Sequence, residues 1–136
     1  MLNKLDTFVN FHQQALNVRE KRQNILATNI ANSDTPNYQA RDIDFNIELK
    51  KAINNQHTLN NIKLNITSAK HIQTNTIGSA DYQLLYRIPY QSSADGNTVE
   101  MDQERTAFMD NSIHYQSNLT FLGEQFKNVV SVLQQG

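Results

Sequence analysis

The sequence predicts a mainly α-helical protein whose long N- and C-terminal helices pair as a coiled-coil-like hairpin, with a partly irregular or short-stranded middle segment between them. Two observations carry this reading. Apolar residues recur at helical spacing over both ends of the 136-residue chain, and the middle lacks that periodicity. A third observation limits the core: hydrophobic residues make up 38% of the chain while Asn and Gln supply 31 positions, so a single deep core is not expected. The chain is therefore read as one domain built by both termini. Residues 1–33 form the N-terminal helix, 34–100 a turn motif and partly ordered middle, and 101–136 the C-terminal helix.

From Leu2 to Asn32 there is neither proline nor glycine, and the spacing predicts one long helix. At about 100° per residue, Asp6, Asn10, Gln13, Asn17, Lys21, Asn24 and Thr28 share a polar arc. Asn3, Asn10, Asn17 and Asn24 recur every seven positions. The apolar residues fall on two adjoining seams: Leu5, Val9, Leu16, Leu26 and Ile30 on one, Phe8, Phe11, Ala15, Val18 and Ile25 on the other. One partner helix covers one seam, so the second needs another neighbour. A wide apolar arc is also what a helix buried in a small bundle shows. His12, Arg19, Arg22 and Gln23 interrupt the arc; such residues cost stability in an isolated core but can set register in an assembled one.

The C-terminal helix is expected from Asp102 to Gln135, with Asp102 as N-cap and Glu104 favourably placed against the dipole of the first turn. Its stripe is Phe108, Ser112, Tyr115, Leu119, Leu122, Phe126, Val129 and Leu133, stepping by fours and threes as a coiled-coil seam does. Met109, Ile113, Phe121 and Val132 lie off this seam. Gly123, inside the helix, costs roughly 1 kcal/mol relative to alanine or marks a close contact.

Between the helices the signals are weaker. Ile43, Phe45, Ile47 and Leu49 alternate like a strand, yet Phe45, Leu49, Ala52 and Ile53 also suit helical turns, so both readings stand. Lys63 to Thr67 and Tyr82 to Ile88 read as short strands. Asn54-Asn55-Gln56, Asn60-Asn61 and Ser92 to Asn97 read as loops.

Composition excludes several function classes. The net charge is −1 with no basic block, so neither nucleic acid nor an anionic membrane is attracted by bulk electrostatics. There is no cysteine, hence no disulfide, thiolate metal site or cysteine nucleophile. No apolar run is long enough to span a bilayer, and the first residues, Met1 to Asp6, lack the apolar stretch of a cleavable secretory signal. His12, His57, His71 and His114 show no ligand spacing. The close carboxylates Asp42 and Asp44, and Asp102 and Glu104, are ordinary for loops and helix starts. No metal site, cofactor or catalytic group is expected, and there is neither a glycine-rich phosphate loop nor a nucleophile motif. Asn65-Ile66-Thr67 and Asn118-Leu119-Thr120 match the glycosylation pattern, but the triplet is frequent by chance and the second lies on the expected seam.

One cluster stands above this background, the run from Leu26 to Asp42. Pro36 disfavours helix at Thr35 and cannot continue the hydrogen-bond ladder, so the run is a helix exit. Its Asn, Ser, Asp and Thr side chains can satisfy the freed backbone groups. The segment Asn29-Ile30-Ala31-Asn32, followed by Thr35-Pro36 and Tyr38, resembles the N-terminal signature of the bacterial flagellar axial proteins, the rod, hook and hook-associated subunits. Its extension through Asn37-Tyr38-Gln39-Ala40-Arg41-Asp42 resembles the version carried by proximal rod proteins. Asp95-Gly96-Asn97-Thr98-Val99-Glu100-Met101-Asp102, continuing through Tyr115-Gln116 and Leu119-Thr120-Phe121-Leu122, is similar to the start and body of their C-terminal helix. The stretch from Lys50 to Arg87 contributes little to the likeness.

The resemblance implies a non-enzymatic structural subunit of the hollow rod that crosses the periplasm and transmits torque, exported through the flagellar type III apparatus without a cleaved signal. It implies as partners other rod subunits, the membrane-ring proteins and the adaptor at the rod base, with homo- and hetero-oligomeric contacts. It also marks Asn29, Asn32, Thr35, Pro36 and Tyr38 as a turn and assembly motif. Leu119, Leu122 and Phe126 are expected in the hairpin core, and Phe11, Val18, Ile25, Met109, Ile113 and Phe121 at contacts between subunits. A helical adaptor or chaperone of a secretion system is the alternative, since it too would show amphipathic helices and no active site.

Overall fold

The computed structural model describes residues 2–59 and 82–134. In chain order these form α1 (Leu2–Ala31), β1 (Arg41–Asp42), α2 (Phe45–Leu59), β2 (Leu85–Tyr86) and α3 (Met101–Gln134). The two terminal helices are 30 and 34 residues long and dominate the molecule. Both lack interior proline, and each is held by tertiary packing rather than by propensity alone.

The helix ends follow from local chemistry. α1 stops at Ala31, where the Asn32 amide N–H reaches the carbonyls of Thr28 at 3.2 Å and Asn29 at 3.1 Å. Asn32 then turns its own side-chain amide back to the Thr28 carbonyl at 2.8 Å. α2 starts where Asp44 accepts the amide N–H groups of Asn46 at 2.9 Å and Ile47 at 3.0 Å, which is N-cap geometry. The cap decides between the two open readings of Ile43 to Leu49: the segment is helical from Phe45 onward. Asn54, Asn55 and Gln56, expected as a loop, lie inside this helix. α3 begins one residue earlier than expected, at Met101. Glu100 occupies the capping position, its carboxylate accepting the N–H groups of Tyr90 at 2.7 Å and Gln91 at 3.1 Å.

β1 and β2 pair antiparallel, Arg41 with Tyr86 and Asp42 with Leu85. The strand expected over Tyr82 to Ile88 is thus only two residues long. The strand expected at Lys63 to Thr67 lies outside the described residues.

α1 and α3 pack antiparallel along most of their length, as successive contacts show: Asn29 with Glu104, Arg19 with Asn111, His12 with Asn118. The core is thin. Ala15, Val18 and Leu26 of α1, Leu122 of α3, and Ala40 and Ile43 of the connection are its buried apolar members. α2 packs on α1, where the Arg19 guanidinium lies 4.2 Å from the centroid of the Phe45 ring.

The face that α3 turns to α1 is rotated from the expected stripe. Phe108, Tyr115, Leu122 and Val129 point inward or sit at the margin, but the positions between them are Glu104, Asn111 and Asn118. Leu119, Phe126 and Leu133 stand on the exposed flank, at 46%, 50% and 75% exposure. Polar residues can hold the inward positions because every one of them is met: among the described residues no buried side-chain nitrogen or oxygen lacks a hydrogen-bond partner.

Candidate functional site

The two segments singled out in the sequence, about sixty residues apart, dock on each other at the closed end of the hairpin. Ser33 to Arg41 leaves α1 in a tight turn that places Asn37 in the left-handed region at φ 59°. The Asn37 amide N–H donates to the Asp95 carbonyl at 2.9 Å. Across from it Gly96 is also left-handed, at φ 75°, and a Cβ there would stand 2.7 Å from the Asn37 Oδ1. Asparagine and glycine are the residues that tolerate this backbone, so the two turns fit only with these types facing each other.

Asn97 joins the turns. Its side chain is buried, and its amide nitrogen sits 3.0, 2.8 and 3.0 Å from the carbonyl oxygens of Asn32, Ser33 and Thr35. One side chain thereby gathers three carbonyls of the turn that follows α1. Its Oδ1 accepts the Val99 N–H at 2.7 Å, so Asn97 also shapes the approach to α3. Thr98 continues the contact: its N–H donates to the Tyr38 carbonyl at 3.0 Å, and its hydroxyl accepts the Ala40 N–H at 2.8 Å.

Asn29 makes the second bridge and is fully buried. Its amide nitrogen donates to the Arg41 carbonyl at 2.7 Å and to Glu104 Oε2 at 3.1 Å. Its Oδ1 accepts the Tyr38 hydroxyl at 3.1 Å and the Arg41 N–H at 3.2 Å. The side chain thus ties the outer edge of β1 to both α1 and α3. All four of its hydrogen-bonding positions are used. Asn32 and Thr35 support it locally through a 3.1 Å bond from the Thr35 hydroxyl to Asn32 Oδ1, while Thr35 and Pro36 are themselves exposed.

Beneath these amides runs a charged network. Arg22 grips Asp42 bidentately, with both N–O distances at 2.9 Å. Arg87 reaches the same carboxylate at 2.7 Å and Glu104 Oε1 at 3.3 Å. Burial alone would raise the Asp42 carboxyl pKa, but the hydrogen bonds from Arg22 and Arg87 outweigh it, and the group stays below its ordinary value. The same contact with Asp42 raises the Arg22 pKa against its own desolvation. Burial, with the neighbouring Arg22, lowers that of Arg19. Asp95 is held below the usual carboxylate range by the Ser93 hydroxyl and the Asn97 N–H, both of which donate to it.

Further along the hairpin, Asn111 is buried between the Arg19 carbonyl at 2.9 Å and Gln23 Oε1 at 2.6 Å. His12 sets Nδ1 2.7 Å from Asn118 Oδ1, with the Phe8 and Phe121 rings 4.6 and 5.2 Å from its own. The four residues that interrupt the apolar arc of α1, His12, Arg19, Arg22 and Gln23, thus each bond α1 to another part of the chain.

Of the residues marked in the sequence, Asn29, Asn32, Thr35 and Tyr38 come together in the turn, with Pro36 on its surface. Leu122 is buried, whereas Leu119 and Phe126 are half exposed. Val18 is fully buried within the chain and Ile25 half-buried. Phe11, Met109, Ile113 and Phe121 are exposed at 45%, 67%, 66% and 45%. Asn97, Asp42, Arg87 and Glu104 had not been assigned these roles. Asn97, inside the second motif, and Asp42, at the end of the first, carried a usable signal.

The chain matches the model of the family described as flagella basal body rod protein over residues 9–39. Over its full length it is 54% identical to the flagellar basal body rod protein FlgB of Yersinia enterocolitica, covering 100% of both chains. It is 53% identical to that of Salmonella typhimurium and 51% identical to that of Escherichia coli, covering 100% of this chain and 99% of each relative. No described helix is long and apolar enough to cross a membrane.

Proposed function

Since the chain belongs to the family of flagellar basal body rod proteins, we propose that it serves as a structural subunit of the proximal rod, joining its neighbours through the exposed sides of the α1–α3 hairpin. The supporting observation is identity of 51–54% over the whole chain to relatives carrying that name, joined to a fold that leaves large apolar side chains uncovered on its longest helix. Phe121, Phe126, Val130, Val132 and Leu133 are each at least 45% exposed. On a soluble monomer such a run is an aggregation hazard; in a rod it is contact surface.

In this reading the work is mechanical rather than catalytic. Torque passing through a subunit loads the closed end of the hairpin, where Asn29, Asn97 and the Arg22–Asp42–Arg87–Glu104 network cross-tie both helices to the connection. Leu119 and Phe126 with Phe11, Met109, Ile113 and Phe121 supply contacts to neighbouring subunits, while Leu122 and Val18 hold the hairpin itself. The partners are further rod subunits, the adaptor at the rod base, the membrane-ring proteins and, during delivery, the flagellar type III export apparatus.

Complementation tests the reading. Expressed in a Salmonella typhimurium strain that lacks its own flagellar basal body rod protein FlgB, the chain should restore swimming and be found in purified basal bodies. A chain that is made stably yet is absent from basal bodies would overturn the assignment.

A further inference from the structure

The short sheet has one closed edge and one open edge. On the outer side of β1, the Arg41 N–H and carbonyl both bond the Asn29 side chain. In β2, Tyr86 stands opposite Arg41, and the neighbouring Arg87 N–H donates to the Ala40 carbonyl at 3.0 Å. Bonded and non-bonded pairs alternate along an antiparallel ladder. Leu85 and Arg87 therefore turn their main-chain groups to β1, while Leu84, Tyr86 and Ile88 turn theirs outward. Among the described residues no hydrogen bond reaches the main chain of these three. Their side chains share one face at 41%, 66% and 92% exposure, whereas Arg87 between them turns inward to Asp42 and Glu104. Pro89 does not blunt this edge: its missing N–H falls on the β1 side, and it favours extended backbone at Ile88. Unpaired groups in a row are a template for one more strand.

Side chains beside the edge set what that strand should carry. The Arg41 guanidinium lies 6.0 Å from the Tyr86 ring centroid, on the exposed face. It has no ion-pair partner among the described residues. A strand laid along β2 thus meets apolar side chains at Leu84 and Ile88 and a cation over Tyr86. The complement is a carboxylate with apolar residues two positions before and two positions after it. Of the 13 Asp and Glu residues of this chain, Glu124 alone has that setting, in Leu122-Gly123-Glu124-Gln125-Phe126. That run lies within α3, so a second copy offers no such strand.

We propose that the outer edge of β2 takes an extended segment of a different protein by strand addition. The segment pairs with the main chain of Leu84, Tyr86 and Ile88 and sets an Asp or Glu, flanked by apolar residues, against Arg41. This contact uses neither exposed side of the hairpin and goes beyond the rod reading.

Nuclear magnetic resonance on the isotope-labelled full chain tests the contact. The probe is a synthetic peptide with a central glutamate, a valine two positions to either side and threonine elsewhere. It should shift the Leu84, Tyr86 and Ile88 amide signals saturably. The same peptide with glutamine for glutamate should bind about threefold more weakly, and the Arg41→Met chain should weaken the original peptide to a similar degree. A peptide N-methylated at every residue should not bind, because it lacks the donors of a ladder. Tyr86→Pro should also abolish binding, since it removes an outward N–H while leaving the bonds to β1. Absence of a saturable shift, or equal binding by the methylated or the glutamine peptide, would overturn the proposal. Raising the concentration of the chain alone should leave these signals in place. If they move, the edge pairs with a second copy and the assignment to a different protein falls. The titration reads the edge in solution, so failed complementation would sink the rod reading without deciding this one.

Discussion

Gly96 and Gly123 should respond to the same substitution with opposite signs. Gly96 is held at φ 75°, and its added Cβ would meet the Asn37 side-chain oxygen at 2.7 Å. That oxygen ends a flexible side chain and can move, but the left-handed backbone cannot relax. Gly96→Ala should therefore destabilise the chain by about 1–2 kcal/mol. Gly123 lies in α3 with nothing within 4 Å of a new Cβ, and Gly123→Ala should stabilise by about 1 kcal/mol through helix propensity. Urea denaturation of the two variants side by side checks both. Asn29 is the costlier position. Asn29→Ala would leave the Arg41 N–H and carbonyl and the Tyr38 hydroxyl, all part-buried, and the buried Glu104 each short of a partner, for a loss of about 3 kcal/mol. A loss under about 1 kcal/mol would mean that water or a rearranged turn replaces the amide.

At the scale of elements, the ion network joins α1, the short sheet and α3, and it carries a pH dependence of known sign. The Asp42 pKa is depressed in the folded chain, so its stabilising contribution is present above the unfolded carboxylate value of about 3.9 and is lost as pH falls through the folded value. Acid should loosen the joint below about pH 4. Asp42→Asn should lower stability at neutral pH, because Arg22 and Arg87 lose their shared anion, and should flatten the acid limb of the stability profile. Thermal unfolding of both proteins across the acid range decides it; parallel curves would remove Asp42 as the cause. The elements themselves were legible wherever a local rule acted alone. The end of α1 near Pro36 and the start of α3 came within a residue or so of their observed positions. The segment Ile43 to Leu49 was ambiguous because its spacing fits both periods, and the Asp44 cap together with burial of Ile43 resolves it.

At the scale of the whole molecule, the question is which apolar residues hold one chain and which hold neighbours. Leu122 is 8% exposed and Phe126 is 50% exposed, although both lie on the expected seam. Leu122→Ala should cost the isolated chain about 2–3 kcal/mol by leaving a cavity. Phe126→Asp should change its stability by no more than about 0.5 kcal/mol and yet abolish incorporation into the rod, where a carboxylate would face a neighbour's apolar surface. Chemical denaturation beside a swimming assay separates the two roles. Normal swimming with Phe126→Asp would remove that flank from the rod contacts.

The amino-acid sequence by itself determined that two long helices end this chain, that proline and asparagine close the first, and that more apolar surface exists than one helix pair can bury. These follow from periodicity and turn chemistry, which act over a few residues. Only the tertiary structure decided the rotation of α3 against α1, the docking of Asn97 under the carbonyls of Asn32, Ser33 and Thr35, and the meeting of Arg22 and Arg87 on Asp42. Helical spacing treats Glu104, Asn111 and Asn118 as polar and therefore outward. They turn inward because α1 offers each a partner, Asn29, Gln23 and His12, and a hydrogen bond between residues some seventy-five to more than a hundred positions apart leaves no periodic trace in either segment.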